Sequence, residues 1–265
     1  MNPGIPRRCA PRDDGKGLLY NSVVQWTETL RDVVTVIRPS DVPAGFVVAF
    51  SGRGHAPDGE ATPTPFLARQ FSRALGLDGM PLHWARQVHG NDVVALREPI
   101  ARGEARDAGH CDALVTPLTG TALVVQSADC VPILLATPEA VGAAHAGWRG
   151  TAKNTAGAAV AALAGLSSAP STLRAWIGPS IGACCYEVGG DVAVQFAGEF
   201  VRRGCGGGFM LDLKATNVAQ LEAAGIPRTS IAVHPDCTKC GGPKYASYRR
   251  DGARAGRMIA LIARL

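Results

Sequence analysis

Two residues that can bind a metal or act as nucleophile and base, Cys130 and His145, lie in the segment SADCVPILLATPEAVGAAHAGWRG. Residues 131–136 and 141–144 are short apolar runs typical of buried strands, and Thr137–Pro138 between them is typical of a turn. If the two strands are neighbours in a sheet, the thiol and the imidazole come close together. Such a pair suits a zinc site or a Cys–His catalytic pair.

A third candidate ligand is His89, in the sequence Gln87-Val88-His89-Gly90. It lies on a turn between two strand-like runs. A Cys/His/His set leaves a fourth tetrahedral position for water, which is the pattern of a catalytic zinc rather than a closed structural one. The spacing alone is a weak signal, because the three residues are scattered and a single cysteine or histidine is more often a packed residue.

Two charged residues lie beside these candidates. Arg149, in the sequence Gly147-Trp148-Arg149-Gly150, precedes a predicted helix over residues 151–166. A helix N-terminus beside an arginine favours anions, whereas the usual alternative is a solvated arginine. Asp129 precedes Cys130 and would orient a ligand or act as a base, the alternative being a surface or capping aspartate.

The other cysteine motifs carry less information. The sequence Cys237-Thr238-Lys239-Cys240 is a single CxxC that lacks the second pair of a zinc ribbon. The adjacent Cys184 and Cys185 would complete a four-ligand site only with difficulty, so a packing role is predicted for both motifs. The eight cysteines do not indicate a disulfide framework, since the chain is long and has no visible secretory signal.

Charge and hydropathy exclude several classes of protein. The net charge of +5 arises from 27 basic and 22 acidic residues that are scattered along the chain. This excess suits anionic metabolites and is too diffuse to indicate nucleic acid. No apolar run is long enough to span a membrane, and we predict a cytoplasmic protein.

Hydrophobic periodicity predicts an α/β domain. Strands are predicted over residues 33–37, 47–49, 83–87, 93–96, 113–115, 123–126, 131–136, 141–144, 173–177 and 231–234. Helices are predicted over residues 65–77, 151–166, 191–203 and 253–265, and another is capped by Asp212 and ends at Gly225. Several strand pairs are joined too tightly for parallel crossovers, so the sheets should be mixed. Residues 1–25 are predicted to be a flexible tail and residues 26–265 a single domain.

A family resemblance that covers roughly residues 45–260 is carried by six segments, which follow one another from residue 87 to residue 258: QVHGNDVV, CDALVT, SADCVPILLA, AAHAGWRG, IGPSIGACCYEVG and YASYRRDGARAGRM. Together they resemble the polyphenol-oxidase or laccase-domain family, also known as YfiH-like proteins. The resemblance implies that His89, Cys130 and His145 bind a catalytic zinc. It also implies a layered α/β/β/α fold, in which mixed sheets pack between helices. The family segment GFSTRxGG, followed by SLN, is replaced here by AFSGRGHAPDG without SLN.

Members of this family are described as purine nucleoside phosphorylases with adenosine deaminase activity. The resemblance therefore implies a zinc enzyme in which the metal acts as a Lewis acid and lowers the pKa of bound water to about 7. Hydroxide would then attack C6 of adenosine. In phosphorolysis of adenosine, inosine, guanosine or methylthioadenosine, phosphate held by Arg149 would attack the ribose C1′. Asp129 is the predicted proton shuttle. The expected partners are a purine nucleoside and phosphate, without nucleic acid or membrane, and the family favours a monomer.

Three alternatives remain open. Cys130 could be the nucleophile of a cysteine hydrolase with His145 or His89 as base, acting on an amide or ester such as a cell-wall precursor. The protein could also be a zinc-stabilised binding protein without chemistry. Copper-dependent polyphenol oxidation ranks lowest, because the chain has six histidines and no His-x-His pair.

Overall fold

The protein consists of three β-sheets with helices on their outer faces. The computed structural model describes residues 24–54, 64–167 and 172–265. The strands of the seven-stranded sheet are, in spatial order, β1 (Trp26–Arg31), β2 (Val34–Pro39), β3 (Phe46–Ser51), β16 (Met258–Arg264), β8 (Thr121–Ser127), β4 (Leu82–Arg86) and β6 (Ala105–His110). Those of the six-stranded sheet are β15 (Ile231–Val233), β11 (Arg174–Ile177), β9 (Val131–Ala136), β10 (Val141–Ala146), β7 (Ala113–Thr116) and β5 (Val93–Ala95).

The third sheet and the helices complete the architecture. The small sheet contains β12 (Glu187–Val188), β14 (Phe209–Leu211) and β13 (Val201–Arg203). The helices are α1 (Thr64–Ala74), α2 (Trp148–Ala152), α3 (Thr155–Ala164), α4 (Gly190–Ala193), α5 (Leu213–Ala223) and α6 (Tyr248–Asp251). The large sheets contain both antiparallel pairs, such as β9 with β10, and parallel pairs, such as β4 with β8. The predicted α/β class with mixed sheets is therefore confirmed.

Hydrophobic side chains fill three layers between these elements. The two large sheets pack face to face through residues such as Phe50 and Ile262 from one sheet and Leu134 and Trp176 from the other. Helix α1 covers the outer face of the seven-stranded sheet, and helices α3 and α5 cover the outer face of the six-stranded sheet. This is the expected α/β/β/α layering. Because both faces of each large sheet are covered, polar side chains can cluster at the ends of the strands. There they do not interrupt the hydrogen bonds between the strands.

The prediction of a helix over residues 253–265 is wrong. This segment contains β16, a central strand that pairs antiparallel with both β3 and β8. Alternate residues face opposite layers: Ala260 and Ile262 pack between the sheets, whereas Ile259 and Leu261 pack beneath α1. Because both faces are buried, the strand lacks the polar alternation that reveals a half-exposed strand, and its apolar residues also match a helical spacing.

Two other predicted helices are interrupted. The helix over residues 151–166 is divided into α2 and α3 at Asn154, whose backbone is left-handed with φ 62° and whose side chain accepts the Gly157 N–H. The helix over residues 191–203 stops at Ala193, and its end forms β13 instead, because Val201–Arg203 pairs with β14. The predicted cap at Asp212 is confirmed, since its carboxylate accepts the Ala215 N–H.

Some predictions fall on residues beyond the described ranges. Residues 1–23 of the predicted tail lie outside them, as do residues 55–63, which include the second half of the AFSGRGHAPDG segment. Within the described ranges, no helix combines the length and the apolar character needed to cross a membrane.

Candidate metal centre

The first two candidate ligands are brought together by a tight antiparallel strand pair. Strands β9 and β10 pair in a register that sets His145 opposite Pro132 and Ala146 opposite Val131. Cys130 immediately precedes β9, and His145 lies at the end of β10, so both side chains lie at one edge of the six-stranded sheet. The prediction that these strands are neighbours is confirmed.

His89 reaches the same edge from the other sheet. It follows β4 in a turn where its backbone is left-handed, with φ 59°. The turn is attached to β8 by Gln87, whose side-chain amide donates to the Gln126 carbonyl and accepts the Gln126 N–H, both at 2.8 Å. The site therefore lies where the two large sheets meet, and it depends on both of them.

The three side chains form a compact donor set. The Cys130 Sγ–His89 Nε2 distance is 3.9 Å, and the rings of His89 and His145 are nearly perpendicular with centroids 4.9 Å apart. One nitrogen or sulfur from each residue lies within 4.8 Å of the others. Ligand atoms at 2.0–2.3 Å from a tetrahedral zinc are about 3.3–3.8 Å apart, so the set fits a single ion after small side-chain movements.

A buried carboxylate, Asp112, holds two of the three ligands. It accepts backbone N–H groups from Val88, His89 and Gly90 at 3.1, 3.0 and 2.6 Å. It also accepts His145 Nδ1–H at 2.8 Å, which leaves His145 Nε2 as the free ligand atom. Metal-binding histidines commonly donate their second N–H to a carboxylate in this way. Sequence reasoning missed Asp112, although it is a charged residue directly before the apolar strand β7.

Electrostatics favour the thiolate form of Cys130. Burial alone would raise the pKa of this thiol, but the charge and hydrogen bond of His145, aided by His89, lower the pKa from 9.0 to about 6. For His145, burial lowers the pKa, but the negative charge of Cys130 and the Asp112 hydrogen bond outweigh it and raise the pKa to about 9. Without a metal the two groups therefore form an ion pair at neutral pH. The same thiolate is the form that binds a metal.

Gly147 is required by the closeness of the ligands. A Cβ atom at this position would lie 2.7 Å from His89 Cδ2 and 3.0 Å from Cys130 Sγ. Any other residue would therefore push at least one of the two ligands away. The glycine at the start of the Gly147-Trp148-Arg149-Gly150 motif thus serves the geometry of the donor set.

Asp129 is buried beside Cys130, and both oxygens of its carboxylate accept hydrogen bonds. Its carboxylate accepts the Thr238 hydroxyl at 2.5 Å and the Arg249 backbone N–H at 2.6 Å. These bonds indicate that Asp129 positions two loops around the donor set. Its role as a proton shuttle stays a prediction.

Arg149 is the second residue of α2 and follows Gly147 by two positions. Its guanidinium stacks on the Trp148 ring at 4.3 Å from the ring centroid. It is exposed, and α2 is only five residues long, so the side chain rather than the helix dipole would supply most of the attraction for an anion.

An open groove of about 530 Å³ lies beside Trp148, which directly follows Gly147. Tyr186 and Arg249 also line it, together with the acidic residues Glu187 and Asp191. The Arg249 guanidinium lies 5.1 Å above the Tyr186 ring and donates to the Glu187 carbonyl at 2.7 Å. Sequence reasoning quoted the segments that contain Tyr186 and Arg249 but did not single out these residues, because nothing local distinguishes a groove residue from a packed one.

The contact around Gly147 generates the first prediction. We expect Gly147→Ala to displace His89 or Cys130 and to reduce bound zinc per chain severalfold, measured by atomic emission on the purified protein. The matched control is Gly198→Ala, since a Cβ there would meet no atom within 4 Å. Full zinc content in the Gly147 variant would contradict this reading of the site.

Asp112 generates the second prediction. Asp112→Asn removes the carboxylate charge that orients His145, and we expect zinc affinity to fall about 10- to 100-fold. Competition with a chromophoric chelator would measure the change. Asp107→Asn, which alters a half-buried carboxylate paired with Arg86, should leave affinity unchanged. Equal affinities for both variants would remove Asp112 from the metal centre.

The chain is similar to known proteins both in sequence and in structure. A relative from Xylella fastidiosa, described as a purine nucleoside phosphorylase, is 39% identical over 198 residues, which cover 71% of this chain and 73% of the relative. A protein from an unknown prokaryotic organism, described as adenosine deaminase RL5, is 37% identical and covers 72% of this chain and 78% of its own. The crystal structure of YlmD from Geobacillus stearothermophilus superposes with a TM-score of 0.74 at 31% identity, over 86% of this chain and 96% of that one.

The family model described as multi-copper polyphenol oxidoreductase laccase matches residues 67–265, which include every ligand of the candidate centre. With this match and these relatives, the chain belongs to the multi-copper polyphenol oxidoreductase laccase family, whose solved members include the YfiH and YlmD proteins.

Proposed function

We propose that this protein is a zinc-dependent purine nucleoside enzyme that catalyses phosphorolysis and also deaminates adenosine. The observation that carries the proposal is the open donor set of His89, Cys130 and His145, oriented by Asp112 and adjoining a groove. The names of the relatives, purine nucleoside phosphorylase and adenosine deaminase, support the choice of substrate class.

The donor set suits zinc. One thiolate and two imidazoles are ligands that zinc commonly accepts, and three protein ligands leave one position for water or substrate. A bound zinc ion supplies Lewis acidity. The laccase description of the family favours copper, but within the described ranges only one potential metal group contains two histidines. A multi-copper oxidase needs several such groups, so copper ranks below zinc.

The groove has the size and the chemistry for a nucleoside. Its volume of about 530 Å³ is within the range of small-molecule sites. The rings of Trp148 and Tyr186 offer flat apolar surfaces to a purine base. The guanidinium groups of Arg149 and Arg249 lie over these two rings, and they are the candidates to hold an anionic co-substrate. Two acidic residues, Glu187 and Asp191, also line the groove.

The two reactions differ in the attacking oxygen. In phosphorolysis a phosphate oxygen bonds to the ribose C1′ while the C1′–N9 bond breaks, and the purine leaves with the bonding electrons and takes up a proton. In deamination the oxygen of water bonds to C6 and ammonia leaves. Arg149 would hold phosphate in the first reaction, and Asp129 would hold the Arg249 loop against the groove in both.

Product analysis tests the proposed function. Adenosine is incubated with protein of known zinc content, with and without phosphate, and the products are separated by chromatography. Adenine and ribose 1-phosphate formed only with phosphate indicate phosphorolysis, whereas inosine formed without phosphate indicates deamination. We expect His89→Ala to abolish both products and His110→Ala, which changes an exposed histidine outside the site, to preserve them. Unchanged adenosine with a filled zinc site would reject the proposal.

Phosphate dependence tests Arg149. A charge-assisted hydrogen bond contributes about 1.5–3 kcal/mol, so Arg149→Ala should raise the KM for phosphate about tenfold or more. The rate of deamination, a reaction that uses no phosphate, should change far less in this variant. Arg97→Ala, an exposed arginine outside the groove, is the matched control. If the phosphate KM is the same in all three proteins, Arg149 does not bind phosphate.

A cysteine hydrolase is the second candidate, and one observation favours it. In the metal-free protein Cys130, His145 and Asp112 have the order of nucleophile, base and orienting acid, and the Cys130 pKa is about 6. The substrate would be an amide or ester such as a cell-wall precursor. A chelator should silence the zinc enzyme and spare the thiol enzyme, whereas iodoacetamide should block the thiol enzyme even with its metal removed.

A further inference from the structure

Two cysteine pairs that are distant in the sequence come together in the fold. The sulfur atoms of Cys184, Cys185, Cys237 and Cys240 all lie within 4.8 Å of one another. We propose that these four thiols bind a second zinc ion, at a closed structural site separate from the donor set of His89, Cys130 and His145. Zinc binding at these cysteines does not depend on the proposed function.

Two parallel strands position the pairs. Strands β11 and β15 are neighbours, so the loops that follow them leave the same edge of the six-stranded sheet. The loops remain paired past the strand ends, through a parallel bridge between Ser180 and Cys237 and a 3.0 Å hydrogen bond from the Thr238 N–H to the Ser180 carbonyl. The sheet therefore brings the Cys184–Cys185 turn to the CxxC turn.

The spacing of the sulfurs matches one tetrahedral ion. Four thiolates at about 2.3 Å from zinc have sulfur–sulfur separations of about 3.8 Å. The Cys184 and Cys240 sulfurs are 3.7 Å apart, and all four of these cysteines are free thiols in the structure. A set of four sulfurs in this geometry is characteristic of zinc or iron, and the borderline-soft zinc ion is the usual structural choice.

The surrounding backbone is arranged for a charged sulfur. The N–H groups of Gly182, Lys239 and Cys240 donate to the Cys237 thiol. Gly182 also makes room for the cluster, because a Cβ there would lie 3.2 Å from the Cys237 Cβ and 3.3 Å from the Cys184 Sγ. Donors directed at sulfur and a glycine beside it are the outer-shell features that stabilise metal thiolates.

A buried cation provides charge balance. Zinc with four thiolates has a net charge of about −2, which is costly beside a protein core unless it is compensated. Lys214 is 1% exposed, and its ammonium group donates to the carbonyls of His234 and Asp236 at 2.8 and 2.7 Å. Burial lowers the pKa of Lys214 to about 8, while the charges of Cys237, Asp212 and Asp236 act against this decrease. A zinc–thiolate centre at Cys237 would add negative charge beside this buried ammonium group.

The second zinc would brace the wall of the first site. Thr238, inside the CxxC motif, donates to Asp129, which precedes the candidate ligand Cys130. The Arg250 guanidinium donates to the carbonyls of Thr238, Lys239 and Gly242 and holds the CxxC turn from the other side. Ordering of this turn thus orders the loop that carries Cys130.

Zinc counting tests the inference on the intact chain. Native mass spectrometry should find two zinc ions in the unmodified protein and one in His145→Ala, which disables only the first site. Zinc X-ray absorption of His145→Ala should then report four sulfurs at about 2.3 Å and no nitrogen. Absence of nucleoside turnover in the unmodified protein with both zinc sites filled would reject the proposed function and leave this inference intact.

Variants of the cluster supply the matched comparison. Cys240→Ser should lower the zinc count from two to one, whereas Cys240→His should retain two, because three cysteines and one histidine also form a structural zinc site. If Cys240→Ser does not fold, the measurements on the unmodified chain and on His145→Ala still decide the question. The inference is overturned if the unmodified protein holds a single zinc that is lost in His145→Ala, if the cluster holds iron, or if two of the four cysteines form a disulfide after purification without reductant.

Discussion

The buried carboxylate of Asp112 is the constraint on which the candidate centre depends. It is 1% exposed, and a charge so placed is costly unless every lone pair is used. Burial alone would raise its pKa, but hydrogen bonds from His145 and Gly90 and the charge of His145 lower it. The same bonds hold the His89 turn and the His145 ring. The interactions that keep this charge in the core are thus the ones that orient two of the candidate metal ligands.

The packing of the two large sheets fixes the relative positions of the three candidate ligands. His89 is attached to the seven-stranded sheet, whereas Cys130 and His145 belong to the six-stranded sheet, and the shared core keeps the two sheets in register. Protein cores are close-packed and resist small displacements. Gly147 shows how tight the result is, because even one added methyl group would collide with two ligands.

Asp129 connects the candidate metal centre at Cys130 with the CxxC turn and with the groove. It adjoins Cys130, and its carboxylate holds Thr238 within the CxxC turn and the backbone of Arg249 at the groove. The proposed catalytic zinc, the groove and the proposed structural zinc therefore share one buried hydrogen-bond network. Such networks are rigid when every member is satisfied. A metal that orders the CxxC turn would also define the wall of the substrate groove.

Sequence alone determined the strand pair of β9 and β10, since two apolar runs around a Thr-Pro turn have few other ways to pack. The family motifs then indicated the candidate ligands. Tertiary structure decided the rest: β16 is a strand because two neighbouring strands offered it hydrogen bonds and both its faces were covered, which no local pattern records. Likewise, Asp112 and the four clustered cysteines acquire chemical meaning only from residues distant in the chain, because a ligand set is defined by distances between strands and loops.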